Sequence, residues 1–168
     1  MNEEKIKVAI LTVSDKGARG ERIDTAGPAV RECLEEKFEI SVEASEIVPD
    51  ERPVIAERLR FFADRLVCDL VFTTGGTGFS ARDVTPEATL DVIDRQAPGF
   101  AELMRVKSFE QTPKAVLSRA VAGIRGRTLI INLPGSERAV RENIVTVLPA
   151  LKHAVDVLRG EGGECGGG

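Results

Sequence analysis

Hydrophobic positions along this chain fall into blocks whose period switches between two and about 3.6. Ile6–Val13 (IKVAILTV) is a near-continuous apolar and β-branched run, as expected of a strand buried on both faces. A polar stretch with several glycines follows from Ser14 to Gly27. Val30, Cys33, Leu34 and Phe38 then recur at helical spacing, with Pro28 near the helix start. Ile40, Val42 and Ala44 alternate with polar residues and predict a half-exposed strand. Pro53 lies in the first turn of a further helix with the stripe Ile55, Leu59, Phe62 and Leu66. Residues 69–74 (DLVFTT) read as a short buried strand, and Thr85-Pro86-Glu87 as the cap and acidic first turn of the next helix. The segment 98–119 is helical in pieces, broken near Gly99 and Pro113. Thr128–Leu133 is the last clear buried strand. Ser136 then caps a helix with the stripe Val140, Ile144, Val147, Leu148, Leu151, Val155 and Leu158, which Pro149 should kink or restart.

Strands alternating with helices mean βαβ units, an α/β fold and a mostly parallel sheet. In such folds ligands bind at the carboxyl ends of the strands, which directs attention to the loops there. The 168 residues fit one domain over 1–159, followed by a glycine-rich segment, 160–168, expected to be a flexible tail. Lys plus Arg number 23 and Asp plus Glu 27, a net charge of −4, which disfavours general binding to nucleic acid. Mean hydropathy is −0.06, and no apolar run reaches the roughly 18 residues that a membrane span needs. The start, Met1-Asn2-Glu3-Glu4-Lys5, is wrong for a signal peptide, so the expected location is the cytoplasm. The three cysteines, Cys33, Cys68 and Cys165, lack the spacing of a zinc site or disulfide framework. The single histidine, His153, sits in a helical pattern away from any turn motif, which disfavours Ser-His or Cys-His catalysis.

Three loops remain as candidates. Thr73-Thr74-Gly75-Gly76-Thr77-Gly78 follows a strand directly and precedes Arg82, Asp83 and a helix start. Its glycines let successive N–H groups turn toward one anion, its hydroxyls add donors, and the helix start adds a partial positive charge. It lacks the lysine of a nucleotide P-loop and the spacing of a dinucleotide fingerprint. The second loop carries Asp50, which reads either as a helix cap or, with Asp83, as one of two carboxylates suited to Mg²⁺ beside phosphate oxygens. The third, 132–136 (NLPGS), reads equally as a capped helix start or as a second anion contact. Ser14-Asp15 and Ser118-Arg119 are lesser candidates, readable as turn chemistry and an exposed helix-end arginine.

Seven segments then carry a resemblance: LTVSD (11–15), VPDE (48–51), TTGGTGFSARDVTPEAT (73–89), APGF (97–100), LSRAVAGIRG (117–126), LIINLPGS (129–136) and LPALKHAV (148–155). In this order they resemble the molybdopterin adenylyltransferases of MogA/MoaB type, including the G domains of gephyrin-like proteins. The resemblance implies a three-layer α/β/α molybdopterin-binding domain that assembles as a homotrimer. It implies transfer of AMP from MgATP to the terminal phosphate of molybdopterin, releasing pyrophosphate and supplying a molybdenum insertase. Asp50 and Asp83 would then hold Mg²⁺ as the catalytic pair. Gly75, Gly76, Thr77 and Gly78, with Thr74, would cradle phosphates. Ser118 and Arg119 would contact substrate phosphate. Pro134, Gly135 and Ser136 would form part of the nucleotide or pterin wall, with Ser14 and Asp15 beside the ligand. Arg82, Arg119 and Arg138 would offset the anionic charge.

The region before the last helix lacks the short insertion common in MogA-type chains and is compact, as in MoaB-type chains. Two other activities stay open: a non-catalytic pterin carrier, and a nucleotide pyrophosphatase of the kind found among CinA-like proteins. Retention of both aspartates favours the enzyme.

Overall fold

The computed structural model describes residues 4–162. Six strands form one sheet in the order β2-β1-β3-β6-β5-β4. β1 (Ile6–Val13), β2 (Ile40–Val48), β3 (Leu70–Thr74) and β6 (Thr128–Leu133) run parallel. β5 (Ala122–Arg125) and the two-residue β4 (Arg95–Gln96) add an antiparallel edge. The helices are α1 (Asp15–Ala18), α2 (Ala26–Glu35), α3 (Arg52–Asp64), α4 (Thr85–Leu90), α5 (Pro98–Phe109) and α6 (Glu137–Arg159), with a short 3₁₀ turn at Pro113–Leu117.

The period-two alternation of β1 sorts its side chains between two cores. Ile6, Val8 and Ile10 pack with Val30 and Leu34 of α2 and with Val140, Ile144 and Leu151 of α6. Ala9, Leu11 and Val13 face Ile55, Leu59 and Phe62 of α3 and Ala88 of α4. With Met104 of α5 on the first side, this is the three-layer α/β/α arrangement. Each large side chain so buried contributes about 1.5–3 kcal/mol. No helix among the described residues is long and apolar enough to cross a membrane.

The structure departs from the sequence pattern at four places. β5 and β4 were not expected: each is short, and β5 folds back onto β6 through the turn at Gly126-Arg127. α6 runs through Pro149 without restarting, because the carbonyl that this proline leaves unpaired belongs to Val145 on the exposed side of the helix. Val84, not Thr85, holds the cap position of α4, and Thr85 is fully buried. α1 forms inside the expected polar loop, its N-terminus capped by the Ser14 side chain. Gly160 caps α6, and the rest of the glycine-rich segment from 163, including Cys165, lies outside the described residues.

After β1 the chain crosses to β2 on one side and later to β3 on the other. That reversal opens a crevice at the carboxyl ends of β1 and β3, the place where open α/β sheets bind ligands.

Candidate functional site

A cleft of about 490 Å³ opens at that crevice, within the usual range for small-molecule sites. Thr12, Val13 and Ser14 enter it from the end of β1, and Thr74, Gly75 and Gly76 from the end of β3. Asp50 comes from the end of β2, Asp83 from the loop before α4, and Gly135 and Ser136 from the end of β6. Residues distant in sequence thus meet because parallel strands all deliver their carboxyl ends to one edge.

The loops touch where only glycine fits. Gly75 has φ +90°, and a Cβ there would lie 2.4 Å from the Val13 carbonyl oxygen. Gly76 has φ +66°, and its Cβ would meet Thr85 Oγ1 at 2.3 Å and Asp50 Oδ1 at 3.2 Å. Buried Thr85 has a second task here, since its hydroxyl donates to the Gly75 carbonyl at 2.9 Å. This bond and Thr85 N–H to the Gly76 carbonyl (3.1 Å) pin the glycine turn to α4.

Asp50 does not cap α3. Glu51 occupies the cap position, without a side-chain bond, while Asp50 Oδ2 accepts the Asp15 amide at 2.8 Å. In return Asp15 Oδ1 accepts the Asp50 amide at 3.0 Å. Two strand-end loops are thereby locked together by their own aspartates. The Arg82 guanidinium binds Asp15 through two bonds of 3.0 and 2.8 Å and holds its carboxyl below the usual carboxylate range. Asp50 shifts the other way: burial raises its pKa, and the neighbouring Asp15 and Asp83 charges push in the same direction. Asp83 Oδ2 accepts the Ser80 amide at 3.0 Å, which fixes its rotamer.

Thr74 Oγ1 is buried in the cleft wall and has no hydrogen-bond partner among the described residues. A hydroxyl in that position is normally satisfied. Ser14 and Ser136 each accept an amide of their own helix, Gly17 at 3.0 Å and Ala139 at 3.3 Å, and keep their protons for another partner.

The remaining candidates lie elsewhere. Thr77 and Gly78 do not line the cleft, and their carbonyls accept from Arg119. Ser118 and Pro134 line a separate, more apolar pocket of about 230 Å³ between α5 and α6. Arg119 binds backbone carbonyls and Glu87, and Arg138 pairs with Glu142. Arg82 is therefore the one of the three expected arginines that binds an aspartate carboxylate at this edge, that of Asp15.

Sequence reasoning missed the loop between α1 and α2. Arg22, Ile23, Asp24 and Thr25 line the cleft opposite the glycine loop. Asp24 accepts the Thr12 hydroxyl at 2.7 Å and the amides of Ala26 and Gly27 at 3.1 and 3.0 Å, so from just before the cap residue Thr25 it ties the start of α2 to β1. Ile23 is 86% exposed. Asp24 beside the small pair Ala26-Gly27 was the available signal for a loop-anchoring carboxylate.

A glycine turn and two carboxylates line one cleft at the switch point of a parallel sheet, which is where α/β proteins bind their ligands. The particular family follows from comparison. A family model described as "Probable molybdopterin binding domain" matches residues 9–153, and the chain belongs to that family. It is 45% identical over 158 residues to the molybdopterin adenylyltransferase of Helicobacter pylori, covering 94% of this chain and 90% of that protein. It is 40% identical to the molybdopterin adenylyltransferase of Escherichia coli K12, covering 89% and 77% respectively. The crystal structure of the molybdopterin biosynthesis enzyme MoaB from Thermus thermophilus superposes with a TM-score of 0.87 at 55% identity, over 92% of this chain and 97% of that one.

Proposed function

We infer that this chain transfers the adenylyl group of ATP to molybdopterin, a step of molybdenum cofactor biosynthesis. The observation that carries the reading is the convergence of Asp50 and Asp83 at a glycine-walled cleft that also holds an unsatisfied threonine hydroxyl. Relatives named molybdopterin adenylyltransferase at 40–45% identity support it.

The terminal phosphate oxygen of molybdopterin attacks the α-phosphorus of ATP. A new P–O bond forms, the bond from that phosphorus to the bridging oxygen breaks, and pyrophosphate leaves with the electron pair. The nucleophile is already an anion, so no general base is required, and a chain with one histidine suffices. Catalysis then consists of positioning and charge compensation.

Two hard carboxylate oxygen donors suit Mg²⁺, which typically takes one or two carboxylates and fills its shell with substrate phosphates and water. No group of three or more acidic, histidine or cysteine residues able to hold a metal occurs among the described residues. Asp50 and Asp83 would hold the Mg²⁺. When bound, it would neutralise charge on the triphosphate and the departing pyrophosphate. The Gly76 amide and the Thr74 hydroxyl would orient phosphate oxygens, while the Gly75 amide is held by the Leu133 carbonyl at 3.1 Å. Gly135 and Ser136 close the far wall, and Arg82 supplies a cation at the rim.

The carrier alternative is disfavoured, because binding pterin alone gives no reason to keep two mutually repelling carboxylates at the cleft. Val106, Phe109 and Val116 form an exposed apolar surface on α5 and the following turn, which we assign to self-association as a homotrimer, testable by sedimentation. The two described thiols, Cys33 and Cys68, are buried and unbridged, which suits the reducing cytoplasm. A molybdenum insertase would consume the product. The test is incubation with molybdopterin, ATP and Mg²⁺ in the absence of molybdate, followed by mass analysis. Adenylylated molybdopterin with one pyrophosphate per turnover is expected. Unmodified pterin with intact ATP would overturn the reading.

A further inference from the structure

We propose that Arg119 and Glu87 form a positioning pair that holds the glycine loop and Asp83 in working register, and that Arg119 does not bind substrate. The proposal rests on the role assigned to Asp83 above.

Arg119 follows the 3₁₀ turn and reaches across to the loop between β3 and α4. Its amide donates to the Thr77 carbonyl at 2.8 Å. Its Nε donates to the Gly78 carbonyl at 2.8 Å, and Nη2 donates to the Asp83 carbonyl at 2.7 Å. Nη1 pairs with Glu87 of α4. One side chain therefore grips the loop just after its glycines, again at Asp83, and a third time on the helix that the loop leads into. The segment between those grips has one other tie to the rest of the molecule among the described residues, the exposed Arg82–Asp15 pair; Ser80 and Asp83 bond each other, and Phe79 is 69% exposed.

The geometry also keeps Arg119 away from the ligand. It does not line the cleft, and three of its five N–H bonds are committed to the loop and Glu87. Its charge is matched by Glu87, whose carboxyl lies below its ordinary range with Arg119 as the leading cause. Glu87 Oε2 is buried without a hydrogen-bond partner among the described residues. The carboxylate as a whole is half-buried, and leaving that one oxygen unpaired carries a cost for which the clamp supplies a reason. Lysine could not replace Arg119, because a single ammonium cannot present a planar fork to two carbonyls and a carboxylate at once.

The test compares Arg119→Lys and Glu87→Gln with the parent chain. Amide hydrogen exchange over 77–84 in the ligand-free protein reads loop order without turnover. Steady-state kinetics at varied Mg²⁺ and molybdopterin read its consequence. Both variants should exchange this segment at least about tenfold faster, and both should lose about tenfold or more in kcat, since small misplacements at a reacting centre are costly. The Mg²⁺ needed for half-maximal rate should rise severalfold, while KM for molybdopterin stays within about twofold. A general loss of folding would not move the Mg²⁺ requirement selectively. If Arg119→Lys cannot be obtained folded, Glu87→Gln alone still decides, since it leaves Arg119 in place. Unchanged exchange, or a molybdopterin KM raised about tenfold with kcat retained, would overturn the clamp. If the parent chain exchanges slowly but shows no adenylyl transfer, the functional reading fails and the exchange comparison still tests the clamp.

Discussion

The two ends of the central sheet treat charge in opposite ways. At the amino end, Asp69 precedes β3 and is saturated: Arg159 donates to both its oxygens at 2.9 and 2.8 Å, and the Lys7 amide adds a bond of 2.7 Å. Arg159 also binds the Lys5 carbonyl, closing the last helix onto the first strand. At the carboxyl end, Asp50 and Asp83 line one cleft with Asp15 beside Asp50, and Arg82 pairs with Asp15 alone. The amino end spends its charge on holding the fold. The carboxyl end is left under-compensated, which is what a site for a metal–triphosphate complex requires.

That contrast can be broken by substitution. Asp83→Asn should lower adenylyl transfer by about a thousandfold or more, because the lost charge acts where the reacting phosphates sit. Its melting temperature should stay near that of the parent, since the amide oxygen can still accept the Ser80 N–H. Asp69→Ala should do the reverse. It strands Arg159 in a mostly buried place, with side chains only 12% and 13% exposed, and should cost about 2–4 kcal/mol. Calorimetry should show this as a fall of about 5–15 °C, with kcat unchanged at 25 °C.

Two further substitutions sharpen the comparison, through KM and through a small shift in stability. Arg22→Ala removes an exposed cleft-lining cation and should raise KM for an anionic substrate by about three- to tenfold, leaving kcat within twofold. Asp50→Asn should abolish turnover yet raise the melting temperature at pH 7 by about 1–3 °C. Burial raises the folded-state pKa of Asp50, so stability is lost as pH climbs through that value. The variant's advantage should therefore vanish below about pH 4, where the native carboxyl is neutral in both states. An advantage that persists at low pH would assign it to packing instead.

Much of the fold was legible because burial on both faces leaves unbroken apolar runs, as in β1, β3 and β6. β5 was not, since AGIR carries no periodic signal and becomes a strand only by lying against β6. Within the site, Asp50, Thr74, Gly75 and Gly76 were readable because each sits at or just past a strand end, and Asp83 because it stands just before the start of α4. Arg119 was placed against substrate, whereas the structure turns it onto backbone carbonyls; a sequence does not record which way a guanidinium points. Arg22 and Asp24 were passed over because they stand in a polar stretch whose folding into α1 and a cleft-lining loop depends on contacts with β1.

The most direct measurement sets molybdopterin binding and adenylyl transfer side by side for the parent chain, Asp50→Asn and Asp83→Asn, with Mg²⁺ and ATP present. The parent should yield adenylylated molybdopterin, while both variants should bind the pterin and leave it unmodified. Product formation at the parental rate by either variant would contradict the assignment of that carboxylate to the reaction.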